Sequence, residues 1–548
     1  MNYFISHDGY CIKKSTLSDD DLKSVKKELT VTPTTLDFSA KKIKENADNV
    51  SYELFKETDT HLIVPMYYGI KRFGKAKNTI KPIKSKFKFT GKLRDYQVPI
   101  VDKCLAFMKK NYGGLLSIPC GGGKTSMALY IASVLGLKTL VVVHKSFLQN
   151  QWIERIKQFT TAEPGIIRRN IVDVEGKDIV IGMIQSISKR NYNSDIFKQF
   201  SFIIYDESHH SASRVFSRAL MKTTGIYTLA LSATPYRGDQ LIKVMHWFLG
   251  DTMYRIKFKI NKHVVVKCFH YYSKNDLFVE KKRFIKGQVR PDVTKMMGNL
   301  CELKCRQRVI ANIINSIRKD PDRKILILSE RKSHLREMKL IVDRKIEKSI
   351  ELGELEEDEI KTYFYIGDMD DAERNEAEKN ADILFATYHM AKEGLDIERL
   401  NTVILATSQK DVIQSVGRVM RKLLQNGDTP PLIIDFSDDL SAFKNHTLKR
   451  KSYYDKCKYT IEDYYVVDKS CMSHDDYKNS IKNKAKNATE LSFDVVLQTQ
   501  KVVIDETIKP EDVIFKNDNE DSDAYDSENS EAPVKTFKQI WSIRMIPI

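Results

Sequence analysis

The sequence predicts an α/β protein with two parallel-sheet domains in tandem, an N-terminal accessory region and a C-terminal extension. Three observations lead there. Short β-branched or aliphatic runs, without polar–apolar alternation, recur at Leu115–Ile118, Thr139–Val143, Ile179–Met183, Phe202–Tyr205 and Thr228–Leu231. Such runs suit strands buried on both faces, as in a parallel sheet, whereas half-exposed strands alternate. A second set follows after a gap, at Ile325–Leu328, Tyr363–Ile366, Ile383–Ala386, Thr402–Ala406 and Leu432–Asp435. Between the runs lie segments of helical periodicity, the layout of βα units. The predicted division is 1–88 accessory, 89–245 first domain, 246–320 linker, 321–450 second domain and 451–548 extension.

Composition narrows the class. With 548 residues, 42% hydrophobic and 30% charged, the chain has enough length and apolar content for large cores. No run of about 18 apolar residues appears, which excludes an obvious membrane-spanning helix. The N-terminus lacks the basic-then-apolar pattern of a secretory signal, so the expected setting is intracellular. Eight cysteines form no CxxC pair, which points to a reduced compartment and away from zinc. Cys301 and Cys305 have the spacing of one helix face but lack further ligands. A net charge of +17 favours a polyanionic partner, because each neutralised phosphate releases counterions. From Asp518 to Glu531 seven of fourteen residues are acidic and none is basic, so that stretch is expected to be disordered.

The first domain carries Ile118-Pro119-Cys120-Gly121-Gly122-Gly123-Lys124-Thr125-Ser126 between a strand and a helix. Gly121, Gly122 and Gly123 let backbone N–H groups turn toward phosphate oxygens, and the helix start adds its positive end. Lys124 would reach the β/γ-phosphates of ATP, the Thr125 hydroxyl would ligate Mg²⁺, and Ser126 completes the loop. A strict GxxxxGK[ST] pattern would need glycine where Ile118 stands. Further on, the buried run Ile203-Ile204-Tyr205 ends in Asp206-Glu207-Ser208-His209. Asp206 at the strand end suits Mg²⁺ held through water, and Glu207 suits a general base for the attacking water. Gln414-Ser415-Val416-Gly417-Arg418-Val419-Met420-Arg421 then places Arg418 and Arg421 three apart on one helix face. Phosphoryl transfer needs positive charge delivered to the transition state, and an arginine pair of this kind supplies it.

Together these segments resemble the motif set of superfamily 2 helicases, in the family order, over about residues 90 to 440. Asp206-Glu207-Ser208-His209 resembles the DEAH/DExH box, and Leu231-Ser232-Ala233-Thr234-Pro235 its Ser-Ala-Thr motif. Gln414 to Arg421 matches QxxGRxxR. The resemblance implies tandem RecA-like P-loop NTPase domains and several further roles. Gln97, in Leu93-Arg94-Asp95-Tyr96-Gln97, would pair with the adenine edge. Ser232, Thr234 and His209 would couple hydrolysis to movement. His144, Lys145, Gln185, Thr387 and Gly394 would contact the nucleic-acid strand, and Asp396 the ribose or the finger arginines.

Within the superfamily the pattern is most similar to the XPB/UvsW-like group and to transcript-release helicases of large DNA viruses. Where XPB-type proteins carry Arg-Glu-Asp, this chain has Arg237-Gly238-Asp239. That likeness implies DNA as the favoured track and RNA as the alternative. It also implies transcription or replication proteins as partners and, for a viral protein, virion and host cytoplasm as locations. Two other readings stand beside the motor: an inactive nucleic-acid-binding scaffold, and a P-loop ATPase without nucleic acid. Intact Lys124, Asp206, Glu207, Arg418 and Arg421 weigh against the scaffold. The net charge and the Ser-Ala-Thr match weigh against the plain ATPase.

Overall fold

The computed structural model describes residues 1–31, 51–119, 121–208, 214–233, 242–256, 261–285, 287–357, 359–393, 395, 397, 399–412, 415–417, 424–467, 470–473 and 491–503. Two eight-stranded sheets form its frame. In the first, the strands run in the order Ile171–Asp173, Pro164–Arg168, Ile179–Met183, Thr139–Val143, Phe202–Tyr205, Tyr227–Ser232, Gly113–Ser117 and Thr252–Arg255. All neighbours are parallel except the exposed edge strand Ile171–Asp173. The central strands are buried from end to end, which explains their uninterrupted apolar runs.

One face of this sheet is covered by the helices Gln97–Asn111, Lys124–Leu135 and Ser146–Phe159, which share a core containing Ile100, Met127, Ile131, Trp152 and Ile156. The opposite face joins the N-terminal module in a single core. There Leu140, Val142 and Ile203 meet Ile5, Tyr10 and Leu62. The module itself is a five-stranded sheet with the helices Asp19–Glu28 and Met66–Phe73. Ser18 caps the first of these by accepting from the Asp21 amide, ahead of three aspartates in the opening turn. Tyr67 donates to the Tyr112 carbonyl at 2.9 Å, and Tyr68 stacks edge-on against Trp247 at 5.4 Å. The accessory region is thus fastened to the first domain.

The second sheet has the order Thr362–Tyr365, Ile383–Thr387, Ile325–Ser329, Thr402–Leu405, Leu432–Asp438, Val265–Tyr271, Thr460–Val467 and Ser470–Ser473. The predicted α/β architecture with parallel sheets is present, but the domain edges differ from the sequence reading. The segment 246–320 contributes a strand to each sheet. Thr252–Arg255 extends the first beside Gly113–Ser117, and Val265–Tyr271 lies inside the second between Leu432–Asp438 and Thr460–Val467. Lys267 and His270 interrupt the apolar run of Val265–Tyr271 and hide it from pattern reading. In the fold Lys267 is buried, paired with Glu462 at 3.0 Å and bonded to the Val496 carbonyl.

The strand Thr460–Val467 likewise draws part of the 451–548 extension into the second domain. Cys301 and Cys305 do not share a helix: the chain breaks at Leu303, between Val293–Glu302 and Lys304–Ile317. Cys305 instead bonds the Tyr271 hydroxyl at 3.1 Å. The acidic stretch 518–531 lies outside the described residues.

Candidate functional site

The phosphate loop leaves the buried strand Gly113–Ser117 and enters the helix Lys124–Leu135. Gly121 and Gly123 have φ of +77° and +73°, left-handed values that a residue with a Cβ adopts at a cost. A Cβ on Gly122 would stand 2.3 Å from Ile118 Cγ2, and one on Gly123 2.1 Å from Gln97 Nε2. The loop is therefore a cradle that side chains would fill. Gln97 is buried against it, donating from Nε2 to the Gly122 carbonyl at 3.2 Å while its Oε1 accepts from the Arg94 amide at 2.9 Å. Lys124 donates to the Ile118 carbonyl at 3.1 Å, and the Ser126 hydroxyl to the Gly123 carbonyl at 2.9 Å. Thr125 is the second residue of the helix and is partly buried.

One strand separates the loop strand from the strand that carries the acids. That intervening strand ends in Ser232, whose carbonyl accepts from the Ile118 amide at 3.0 Å. Asp206 Oδ2 accepts from the indole N–H of Trp152 at 2.8 Å, and Oδ1 accepts from the Glu207 amide at 3.0 Å. Burial, and then the neighbouring Glu207 charge, push the Asp206 carboxyl up to about 6 from its usual 3.8; Trp152 and the charge of Lys124 pull the other way. Glu207 sits at φ +45°, a left-handed conformation that costs a non-glycine residue about 1 kcal/mol or more. Strain of this kind clusters where chemistry fixes a side chain's direction.

The residues expected on the strand-binding side also meet. The Gln185 side-chain amide donates to the His144 carbonyl. Lys145 Nζ lies 3.1 Å from His389 Nε2, on the helix Tyr388–Glu393 that directly follows Thr387. Burial lowers the pKa of both partners, first by desolvation, which keeps the imidazole neutral as the acceptor. This contact joins the two domains at Lys145, predicted to face the track, and at His389, two residues after Thr387. His209, Thr234, Gly394, Asp396, Gln414, Arg418 and Arg421 lie outside the described residues.

Sequence reasoning missed Trp152 and His389. Trp152 follows the Lys145 segment on the same helix, where an apolar side chain ordinarily reads as core. His389 falls inside the quoted stretch Thr387 to Gly394 but matches no motif position.

Comparison with known proteins follows the same division. The model of the type III restriction enzyme res subunit matches residues 90–237, and that of the helicase conserved C-terminal domain matches 306–422. A protein of Acanthamoeba polyphaga mimivirus, provisionally named an ATP-dependent RNA helicase, is 36% identical over 471 residues, covering 84% of this chain and 87% of its own. The chain belongs to the superfamily 2 helicases. A provisionally named helicase of Invertebrate iridescent virus 6 is 29% identical over 72% of this chain and 89% of its own. The DNA 3'-5' translocase XPB2 of Sulfurisphaera tokodaii is 32% identical over 197 residues, 35% of this chain and 42% of its own. As a superfamily 2 helicase the protein is an ATP-dependent enzyme that acts on nucleic acid. Among the described residues no helix is long and apolar enough to cross a membrane.

Proposed function

We propose that this helicase is a translocating motor whose favoured track is duplex DNA, and that its ATP site is built from the residues named above. The observation that carries the site is the electrostatic pull of Lys124 on Asp206 beside a glycine cradle, with Glu207 held in a strained backbone next to Asp206. In this reading the loop amides and Lys124 grip the β- and γ-phosphates, and Gln97 borders the adenine. Glu207 accepts the proton of the attacking water, and Arg418 and Arg421, oriented by Gln414, bring positive charge to the transferring phosphoryl group. Asp396 faces the ribose or those arginines.

The donor set fits Mg²⁺: burial and the neighbouring Glu207 charge push the Asp206 carboxyl upward, and a divalent cation beside it would favour its charged form. Thr125 and, through water, Asp206 would hold it, and it would neutralise charge on the phosphates. Ser232, Thr234 and His209 transmit the state of the site through the first domain. His144, Lys145, Gln185, Thr387 and Gly394 grip the track, largely at its phosphates, so binding is salt-sensitive and mostly sequence-independent. Transcription or replication proteins are the partners that fit such a motor.

Duplex DNA is favoured because XPB2, a DNA translocase by name, is 32% identical to this chain over 197 residues. The mimivirus relative's name favours RNA instead, and a single measurement separates the two. Steady-state ATPase is read with no nucleic acid, single-stranded and duplex DNA, and single-stranded and duplex RNA, at low and moderate salt. Stimulation by duplex DNA supports the reading. Stimulation by RNA alone replaces it with an RNA motor, and stimulation by neither removes the track altogether.

A further inference from the structure

The strand Thr402–Leu405 of the second sheet ends in a turn, 406–409, with four residues between it and the predicted finger stretch 414–421. Three side-chain donors converge on this turn. Arg306 Nη1 donates to the Ala406 carbonyl at 2.7 Å. The Tyr388 hydroxyl donates to the Thr407 carbonyl at 2.6 Å. Arg450 Nη1 donates to the Gln409 carbonyl at 2.5 Å. The three donors come from separate helices, Lys304–Ile317, Tyr388–Glu393 and Ser441–Lys456, and are 0%, 2% and 1% exposed. A fourth bond runs from the Glu330 amide to the Thr407 hydroxyl at 2.9 Å.

Each arginine is itself fixed. Arg306 forks onto Asp438 at 2.7 and 3.0 Å, and Arg450 onto Asp435 at 2.8 and 2.7 Å. Both acids lie on the neighbouring strand Leu432–Asp438 and are fully buried. A buried guanidinium and carboxylate both lose hydration, which only good fork geometry offsets. Simple filling of a core would be met more cheaply by apolar side chains, so the donors' convergence on one turn needs its own account. Beyond the turn, Val412 and Val416 are buried and linked by the Val416 amide to the Val412 carbonyl at 2.8 Å. Val412 and Val416 are thus held on the path from the turn toward Arg418.

We propose that Tyr388, Arg306 and Arg450 are positioning residues that clamp the 406–409 turn, with Tyr388 linking the track-facing residue Thr387 to the finger stretch. The inference rests on the motor reading given above. Thr387 and Tyr388 are adjacent in the chain, so a shift of backbone at Thr387 on gripping a strand moves the phenol and the Thr407 carbonyl with it. Burial pushes the Tyr388 phenol far above its ordinary range, so it stays a donor at every working pH. Arg306 and Arg450 hold the two sides of the turn, and the tyrosine is the connection on the track side.

The test is Tyr388→Phe, which deletes one hydroxyl and keeps the ring. Basal and nucleic-acid-stimulated ATPase are measured with the melting temperature and the affinity for the stimulating nucleic acid. The expected result is a stimulated kcat lower by about tenfold, within the usual range of coupling between sites, with basal rate and KM for ATP unmoved. Thr407→Val, which removes the bond from Glu330 at the same turn, should lower stimulation in the same direction. Full stimulation in Tyr388→Phe, or an equal fall of basal and stimulated rates, overturns the clamp. If the unaltered protein is stimulated by no nucleic acid, the motor reading fails first and the clamp goes with it. If the unaltered protein is stimulated and both variants match it, the clamp alone fails.

Discussion

The two RecA-like domains treat buried acids in opposite ways. In the second, Asp435 and Asp438 each receive a forked arginine inside the core, and Tyr454 adds a third bond to Asp435 at 3.0 Å. In the first, Asp206 is only partly buried and receives one indole N–H and one backbone amide, and its carboxyl is pushed up to about 6. An acid saturated by arginine is a structural element, since nothing more can approach it. An acid left with a raised pKa beside a second acid keeps capacity for a cation or water. The contrast teaches that burial alone does not identify a functional carboxylate; the supply of donors around it does.

The largest effect should come from breaking a saturated pair. Arg450→Met leaves the Asp435 charge buried without its partner and should cost about 3–5 kcal/mol in urea unfolding. The double variant with Asp435→Leu should recover most of that loss. Failure to recover would mean that Arg450 matters mainly for the 406–409 turn.

Next comes the chemistry of the first domain and the finger. Lys124→Ala, Glu207→Gln and Arg421→Ala should each reduce ATP turnover by at least about a hundredfold, the scale seen when transition-state electrostatics are removed. Turnover near that of the unaltered protein in all three would sink the proposed mechanism.

Asp206→Asn sharpens the comparison because its stability effect should have the opposite sign from Arg450→Met. The folded carboxyl titrates near 6 and the unfolded one near 3.8. Between those values the folded protein holds the proton longer, so stability falls as pH rises through the window. Removing the acid should therefore stabilise the nucleotide-free protein at pH 8, by on the order of 3 kcal/mol in urea unfolding, and change its stability little at pH 4. A loss of stability at pH 8 would place Asp206 with the saturated acids. The smallest effect is expected from Trp152→Phe, which removes the indole donor. ATP turnover should fall about tenfold or less, with KM for ATP carrying little of the change.

Much of the proposed site was legible before any fold was known. The glycine loop, the paired acids and the arginine pair each need fixed residue types at fixed spacing, because phosphate, cation and proton impose their own geometry. The strands buried on both faces were legible for a similar reason: a parallel sheet covered on two sides tolerates few polar residues. Val265–Tyr271 escaped because Lys267 and His270 break its pattern, and only long-range partners make them tolerable. Lys267 meets Glu462, and His270 meets Asp463 at 2.7 Å.

What the sequence determined by itself is therefore the class of protein, together with the residues proposed for its nucleotide site, since both are written in local spacing. What only the tertiary structure decided is who supports that chemistry. Trp152 under Asp206, His389 against Lys145, and Arg306, Tyr388 and Arg450 around the 406–409 turn come from segments far apart in the chain. A hydrogen bond between distant segments leaves no periodicity and no motif, because its donors and acceptors meet only after the sheets have assembled.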